Sequence, residues 1–174
     1  MKKYIVLFLA LLFVSPIFSQ TSLKIGYVNS QTILEQLPEA IKAQGELDAL
    51  INSWNTQLDS MTQALQTQYN DYQKQANTMT EAKRNEAQQK LVQQQQAIDD
   101  FRRQKFTQGT GEAYVKQEQL LKPVRDKIFD AIELIAKEEG MQFVFDKSGD
   151  ILLLYADSSF DITFKVLDRL KRGK

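Results

Sequence analysis

The sequence predicts a mostly helical α+β protein: a small β-containing body with a long, protruding, antiparallel helical hairpin. Three observations carry that prediction. Pro38 and Pro123 bracket 84 residues, Glu39 to Lys122, that hold no proline, three glycines and 17 glutamines, a composition of good or tolerable helix formers. Within the stretch, apolar residues recur at heptad spacing. On either side of it, short apolar runs of strand length and turn residues replace the heptads.

Composition removes most chemistry. The chain has 174 residues, 22 basic and 22 acidic, with no cysteine and no histidine. Disulfides, Cys/His zinc sites, Ser-His-Asp and Cys-His nucleophiles and imidazole acid/base catalysis are therefore excluded. No catalytic residue, cofactor or metal site is assigned, and the chain is not expected to be an enzyme. A formal charge of zero also argues against nucleic acid as a partner, because nonspecific phosphate binding needs a concentrated positive face.

Residues 1–19 read as a signal peptide. Lys2 and Lys3 precede an apolar run from Tyr4 to Val14, and Ser15-Pro16-Ile17-Phe18-Ser19 leads to a cleavage site near Ser19-Gln20. The run is shorter than the roughly 18 apolar residues a membrane span requires. No cysteine stands near the site for a lipid anchor, so a soluble, exported, periplasmic chain is expected. Without Lys2 and Lys3 the chain has 22 acidic against 20 basic residues, a net of −2.

Residues 20–38 begin the body. Leu23 to Val28 reads as a strand, Asn29 or Ser30 as the N-cap of a short helix through Leu37, and Pro38 as its interruption. Residues 39–122 then form the hairpin. One seam column is Ile51, Leu58, Leu65, Tyr72 and Met79, and the other is Leu47, Trp54, Met61, Gln68 and Gln75. The seam fades from Leu and Trp to Gln. A single helix would be about 126 Å long, whereas a hairpin has arms of about 60 Å. Asn77, Thr78 and Thr80 favour a tip at 77–80, where Thr78-Met-Thr-Glu81 matches a capping box.

The returning arm has a sparser seam of Ala87, Leu91, Ile98 and Phe101, with Gln94 in an apolar position. Near its far end Gly109-Thr110-Gly111 reads as a tolerated weak point in an otherwise helical arm, with Gly109 and Gly111 as hinge candidates. Residues 123–174 complete the body. Pro123 is expected to begin an amphipathic helix with Val124, Ile128, Ala131, Ile132 and Ile135 on one face and Gly140 as its C′ residue. Phe143 to Phe145 and Ile151 to Tyr155 read as a two-stranded hairpin turning at Asp146 to Asp150. Asp161 then caps a last helix bearing Ile162, Val166, Leu167 and Leu170. So thin a core with open strand edges predicts self-association.

In this order the residues resemble the OmpH/Skp family of periplasmic chaperones across essentially the whole mature chain. The resemblance rests on Ile25-Gly-Tyr-Val-Asn-Ser30, the Gln-rich hairpin, Leu120-Leu-Lys-Pro-Val-Arg-Asp-Lys-Ile128, Val144-Phe-Asp-Lys147 and Asp161-Ile-Thr-Phe-Lys-Val166. It implies a homotrimer whose strands form a small β-barrel. Three hairpins would project as tentacles around a cavity that holds unfolded outer-membrane proteins. Holding would be ATP-independent, in keeping with the absence of a Gly-rich phosphate loop.

On that reading the client-contact candidates are Tyr69, Tyr72, Met79, Phe101 and Phe106. Tyr72, Met79 and Phe101 also fit the seam between the arms. Tyr69 and Phe106 fall outside its columns and are the first choices. The chain departs from the basic, best-known members in charge: residues 39–79 carry a net of −3 and residues 80–122 a net of +2. Lys83-Arg84 and Arg102-Arg103 with Lys105 read as solvated helix faces beside Glu81, Glu86, Asp99 and Asp100, so membrane-surface contact is expected to be weak. Asp146-x-Ser148-x-Asp150 echoes a calcium loop, but Ile151 stands where the sharp turn needs Gly, and a polar hairpin turn is the reading kept. The alternative function is a structural or adaptor coiled coil of the cell envelope. That would show a continuous apolar seam. An exported enzyme comes last, since no converging acid/base pair can be located.

Overall fold

A computed structural model of the chain describes residues 23–149 and 153–173. The leader expected at 1–19 lies outside the described residues. Strand β1 (Ile25–Val28) is followed by helix α1 (Ser30–Gln36), the long helix α2 (Pro38–Gln75), α3 (Glu81–Phe106), α4 (Glu112–Glu138), strand β2 (Phe143–Asp146), a 3₁₀ turn (Ser158–Phe160) and α5 (Thr163–Arg172). The predicted class holds. Long helices dominate, and strand structure is confined to one small region.

The local signals explain most boundaries. Asn29 Oδ1 accepts a hydrogen bond from Thr32 N at 2.9 Å and starts α1. Pro38 stands at the first turn of α2, where its missing N–H is no loss. At the end of α4, Gly140 N donates to the Lys137 carbonyl and Met141 N to the Ala136 carbonyl, the paired bonds of a Schellman stop. Asp161, expected to cap α5, stands one residue ahead of the N-cap Ile162, and its Oδ1 accepts from Thr163 N at 2.9 Å in the turn leading into the helix.

The body packs α1, the start of α2, the second half of α4 and α5 around one core. Ile33, Val28, Ile162 and Val166 are essentially sealed from solvent, and Leu37, Ala40, Ala43, Ile128, Ala131 and Leu167 surround them. Each sealed Ile or Val contributes about 1.5–3 kcal/mol relative to exposure. Beyond the core, α2 and α3 run antiparallel as the expected hairpin, joined at the expected tip.

Four expectations are corrected. Pro123 lies inside α4 rather than at its start. Pro123 and Gln119 are both exposed, so the carbonyl that the missing N–H leaves unpaired is open to water and the helix continues. At the tip, Thr80 rather than Thr78 is the N-cap of α3, accepting from Lys83 N. The Thr78 hydroxyl instead donates to the Gln75 carbonyl and closes the outgoing helix. The returning arm is not continuous, since α3 stops at Phe106 and α4 starts at Glu112.

The fourth correction concerns the sheet. β2 pairs in parallel with β1, Ile25 opposite Phe143 and Val28 opposite Asp146. Among the described residues it forms no hairpin with 153–155. Residues 153–157 have no regular structure, and Ile151 and Leu152 lie outside the described residues. The far edge of β1 is occupied by the chain at Asp161, where Ile162 N donates to the Tyr27 carbonyl at 3.0 Å. An all-apolar segment needs cover on both faces, and one copy of this body does not supply it. Leu154 and Tyr155 accordingly stand 87% and 83% exposed.

Candidate client-binding arm

The arm is α2 and α3 distal to the body, and its seam follows the heptad columns. Ile51, Trp54, Leu58, Met61, Leu65, Gln68, Tyr72 and Met79 on the outgoing side are half-buried, as are Ala87, Leu91, Gln94 and Phe101 on the return. Only Gln75, the last of its column, is fully exposed. Ile98, 4% exposed, is the one side chain of the return that the seam seals. Two helices can cover only one stripe of each other, so half-burial is what a lone hairpin allows.

The register is antiparallel. Gln88 Nε2 donates to the Tyr72 hydroxyl at 2.7 Å near the tip, and the Trp54 and Phe106 rings meet edge to face with centroids 6.3 Å apart nearer the base. In the middle of the seam, Gln94 Oε1 is buried and accepts no hydrogen bond. An unpaired buried amide oxygen costs about 1–3 kcal/mol, so this point of the seam is held weakly.

These positions sort the sequence candidates. Tyr72, Met79 and Phe101 lie in the seam, half-buried. Phe106 also packs there, against Trp54, although the columns had placed it outside. Its partner comes from the outgoing helix α2, which the returning helix reaches at its last residue, beyond the counted heptads. Tyr69 remains on the surface, 46% exposed. The structure adds Val92, exposed beside the seam residue Leu91 and bordered by Asn85, Gln88, Gln89 and Gln93. A heptad count misses it because it stands one step off the column.

Charge on the arm is mostly neutralised locally. Arg102 pairs with Asp99 at 4.0 Å, Arg103 with Asp100, and Lys74 with Asp71 at 4.0 Å, all within single helices. Lys105 pairs with Glu112 at 2.6 Å. The pairs within single helices are exposed and contribute little to stability. Lys105 is instead part-buried, 15% exposed, so it does not lie on the solvated face expected of it. Gly109 has a φ of +79° in the α3–α4 turn, a backbone shape that favours glycine. A Cβ on Gly111 would meet Thr107 N at 2.6 Å and its carbonyl at 2.7 Å, so this turn requires both glycines.

Of the calcium-like motif, Asp150 lies outside the described residues, and the described part is tied down by ordinary hydrogen bonds. Asp146 accepts hydrogen bonds from Ser30 N at 3.1 Å, Ser148 N at 3.0 Å and both serine hydroxyls, tying β2 to α1. Burial pushes this carboxyl up, and the Ser30 and Ser148 hydrogen bonds outweigh it, leaving it below the usual carboxylate range. Asp157 caps the 3₁₀ turn through Ser159 N.

Comparison with known proteins gives this geometry a family. The chaperone protein Skp of Yersinia enterocolitica is 28% identical over 148 residues, 85% of this chain and 86% of that protein. The Skp chaperone of Pectobacterium atrosepticum is 26% identical over 152 residues, 87% and 88% of the two chains. A solved structure described as a putative outer membrane chaperone (OmpH-like) from Caulobacter crescentus CB15 superposes with a TM-score of 0.69. It covers 87% of this chain and 86% of that one at 14% identity, and so shares the fold. The model of the family "Outer membrane protein (OmpH-like)" matches residues 24–170, body and arm together, and the chain belongs to that family.

Proposed function

We propose that this chain is an exported, periplasmic holdase chaperone that keeps unfolded outer-membrane proteins from aggregating, without nucleotide, and that its function is not catalytic. One observation carries the reading: the arm is a helical hairpin whose seam is only half-closed and weakens into glutamine. An unfolded barrel precursor exposes alternating apolar residues and unpaired strand edges. A surface of dispersed apolar groups among glutamine amides offers such a chain many weak contacts, each easily released.

Assembly as a homotrimer completes the reading. The exposed Leu154, Tyr155, Phe143 and Phe164, beside a sheet of only two strands among the described residues, are surfaces that a second and third copy would cover. Residues 20–38 and 123–174 would then form the trimerisation body, with 39–122 as the arm and Gly109 and Gly111 at its elbow. Clients would meet Tyr69 and Val92 first. Tyr72, Met79, Phe101 and Phe106 would contribute where the seam opens.

The test is an aggregation assay with a urea-denatured outer-membrane barrel. Suppression without nucleotide at roughly three chains per client, one assembly each, is the expected outcome. No suppression at large excess would favour a structural coiled coil of the envelope. Tyr69→Ser with Val92→Ser should weaken holding and leave the melting temperature nearly unchanged, whereas Phe106→Ser should lower the melting temperature by removing the Trp54 contact. Because the charges of the two arm halves, −3 and +2, nearly cancel, suppression should change little between low and physiological salt.

A further inference from the structure

The break between α3 and α4 is braced rather than loose. The Lys105 side chain is only 15% exposed. Its ammonium lies 2.6 Å from Glu112, 5.1 Å from the centre of the Trp54 ring and 5.7 Å from that of Phe101. Both ring distances are within cation–π reach. Gln104 Nε2 donates to the other Glu112 oxygen at 3.0 Å. Lys105 stands in the last turn of α3 and Glu112 in the first turn of α4, so each charge is also favoured by its own helix dipole.

A second weakness lies across the arm at the same level. There α2 reads Asn52-Ser53-Trp54-Asn55-Thr56, four weak helix formers around the tryptophan. The Thr56 hydroxyl donates to the Asn52 carbonyl at 2.9 Å, a back-bond that favours bending of a helix. The same back-bond recurs at Thr62 and Thr67, but only at this level does a run of weak helix formers in α2 face the break between α3 and α4, and Lys105 ties the two together.

We propose that this level is an elbow and that Lys105, seated on Trp54 and paired with Glu112, is an ionic latch holding it at one angle. With the latch closed, the arm distal to Trp54 and Phe106 moves as one piece with its base. Released by loss of the charge or by high salt, the distal arm swings and the space beside it changes width. The latch itself stands on the geometry alone. Its consequence, a cavity that adjusts to client size, rests on the holdase reading.

The chain has no cysteine, so donor and acceptor dyes can be placed at Gln73→Cys near the tip and Asp130→Cys in the body. The labelled chain is diluted in excess unlabelled chain, and the tip-to-body distance distribution is read by single-molecule energy transfer. Lys105→Met, which keeps the aliphatic stem against Trp54, should roughly double the width of the distribution, while Lys105→Arg should keep it narrow. Raising salt to about 1 M should broaden the otherwise unsubstituted labelled chain, by less than Lys105→Met does because the part-buried ammonium is only partly screened, and leave the Met variant as it is. This salt series needs no change at the latch and stands even if a variant folds poorly. Equal widths in all four cases would overturn the latch. Running the aggregation assay on the same samples separates the two readings: failure of the unsubstituted chain to suppress aggregation removes the holdase and leaves the distance result intact.

Discussion

The body and the arm of this protein are held to different degrees. In the body, four helices and a sheet converge, and Ile33, Val28, Ile162 and Val166 lose essentially all contact with water. In the arm, two helices face only each other. Leu58, Met61 and Leu65 stay half-wet, and one seam position is an amide with an unpaired oxygen. The difference teaches where opening is cheap. Local opening takes least free energy where few apolar contacts must be broken, and here that region is also the one proposed to meet clients.

This contrast can be broken by substitution. The largest effect is expected in the body, where Ile33→Ala should cost about 2–5 kcal/mol by leaving a cavity in a sealed core and should lower the thermal midpoint of the whole chain. A loss under about 1 kcal/mol would mean that the body core is as loose as the seam. Gly111→Ala, which forces a methyl group onto Thr107 backbone atoms, should cost about 2 kcal/mol. That loss should appear as faster hydrogen exchange around 105–112, with the body core still protected.

Gln94→Leu sharpens the comparison from the other side. Replacing the orphaned oxygen with a methyl group should stabilise the arm by about 1 kcal/mol, seen as slower exchange in 58–65 and 91–101. If holding depends on a seam that opens, client suppression should fall in the same variant.

Acid should act on the body first. Asp146 and Asp161 both have folded pKa values below the ordinary one. Burial raises each of them, and hydrogen bonds outweigh it: from Ser30 and Ser148 on Asp146, and from Thr163 and Lys147 on Asp161. Their contribution is therefore complete above the unfolded value of about 3.9 and is lost as pH falls through the lower folded value. A titration of near-ultraviolet signal from pH 7 downward should be flat to about pH 4 and then fall. A loss beginning near neutrality would contradict the assignment. The smallest change is Gly45→Ala, at an open helical position with no atom within 4 Å of the added carbon, which should stabilise α2 by about 0.5–1 kcal/mol.

Much of the arm was legible residue by residue. Leu47, Ile51, Leu58, Leu65, Leu91 and Ile98 fall on the buried stripe because a coiled pair repeats every seven residues whatever surrounds it. The position of the turn was also legible, from the weak helix formers at 77–80. The true cap was not, because Thr78 and Thr80 are chemically alike and only the path of the chain decides which hydroxyl meets a free amide. Phe106 and Lys105 escaped the heptad count for a related reason, since their partners Trp54 and Glu112 come from two other helices.

Local chemistry in the sequence by itself determined the helices, the cap at Asn29, the stop at Gly140 and the heptad stripe of the arm, since each depends on neighbours a few residues away. Tertiary structure alone decided that β2 pairs with β1 and that Pro123 sits within a helix. Those outcomes depend on competition between surfaces more than a hundred residues apart, as between Ile25 and Phe143, or on solvent reaching one particular carbonyl. No local propensity encodes them.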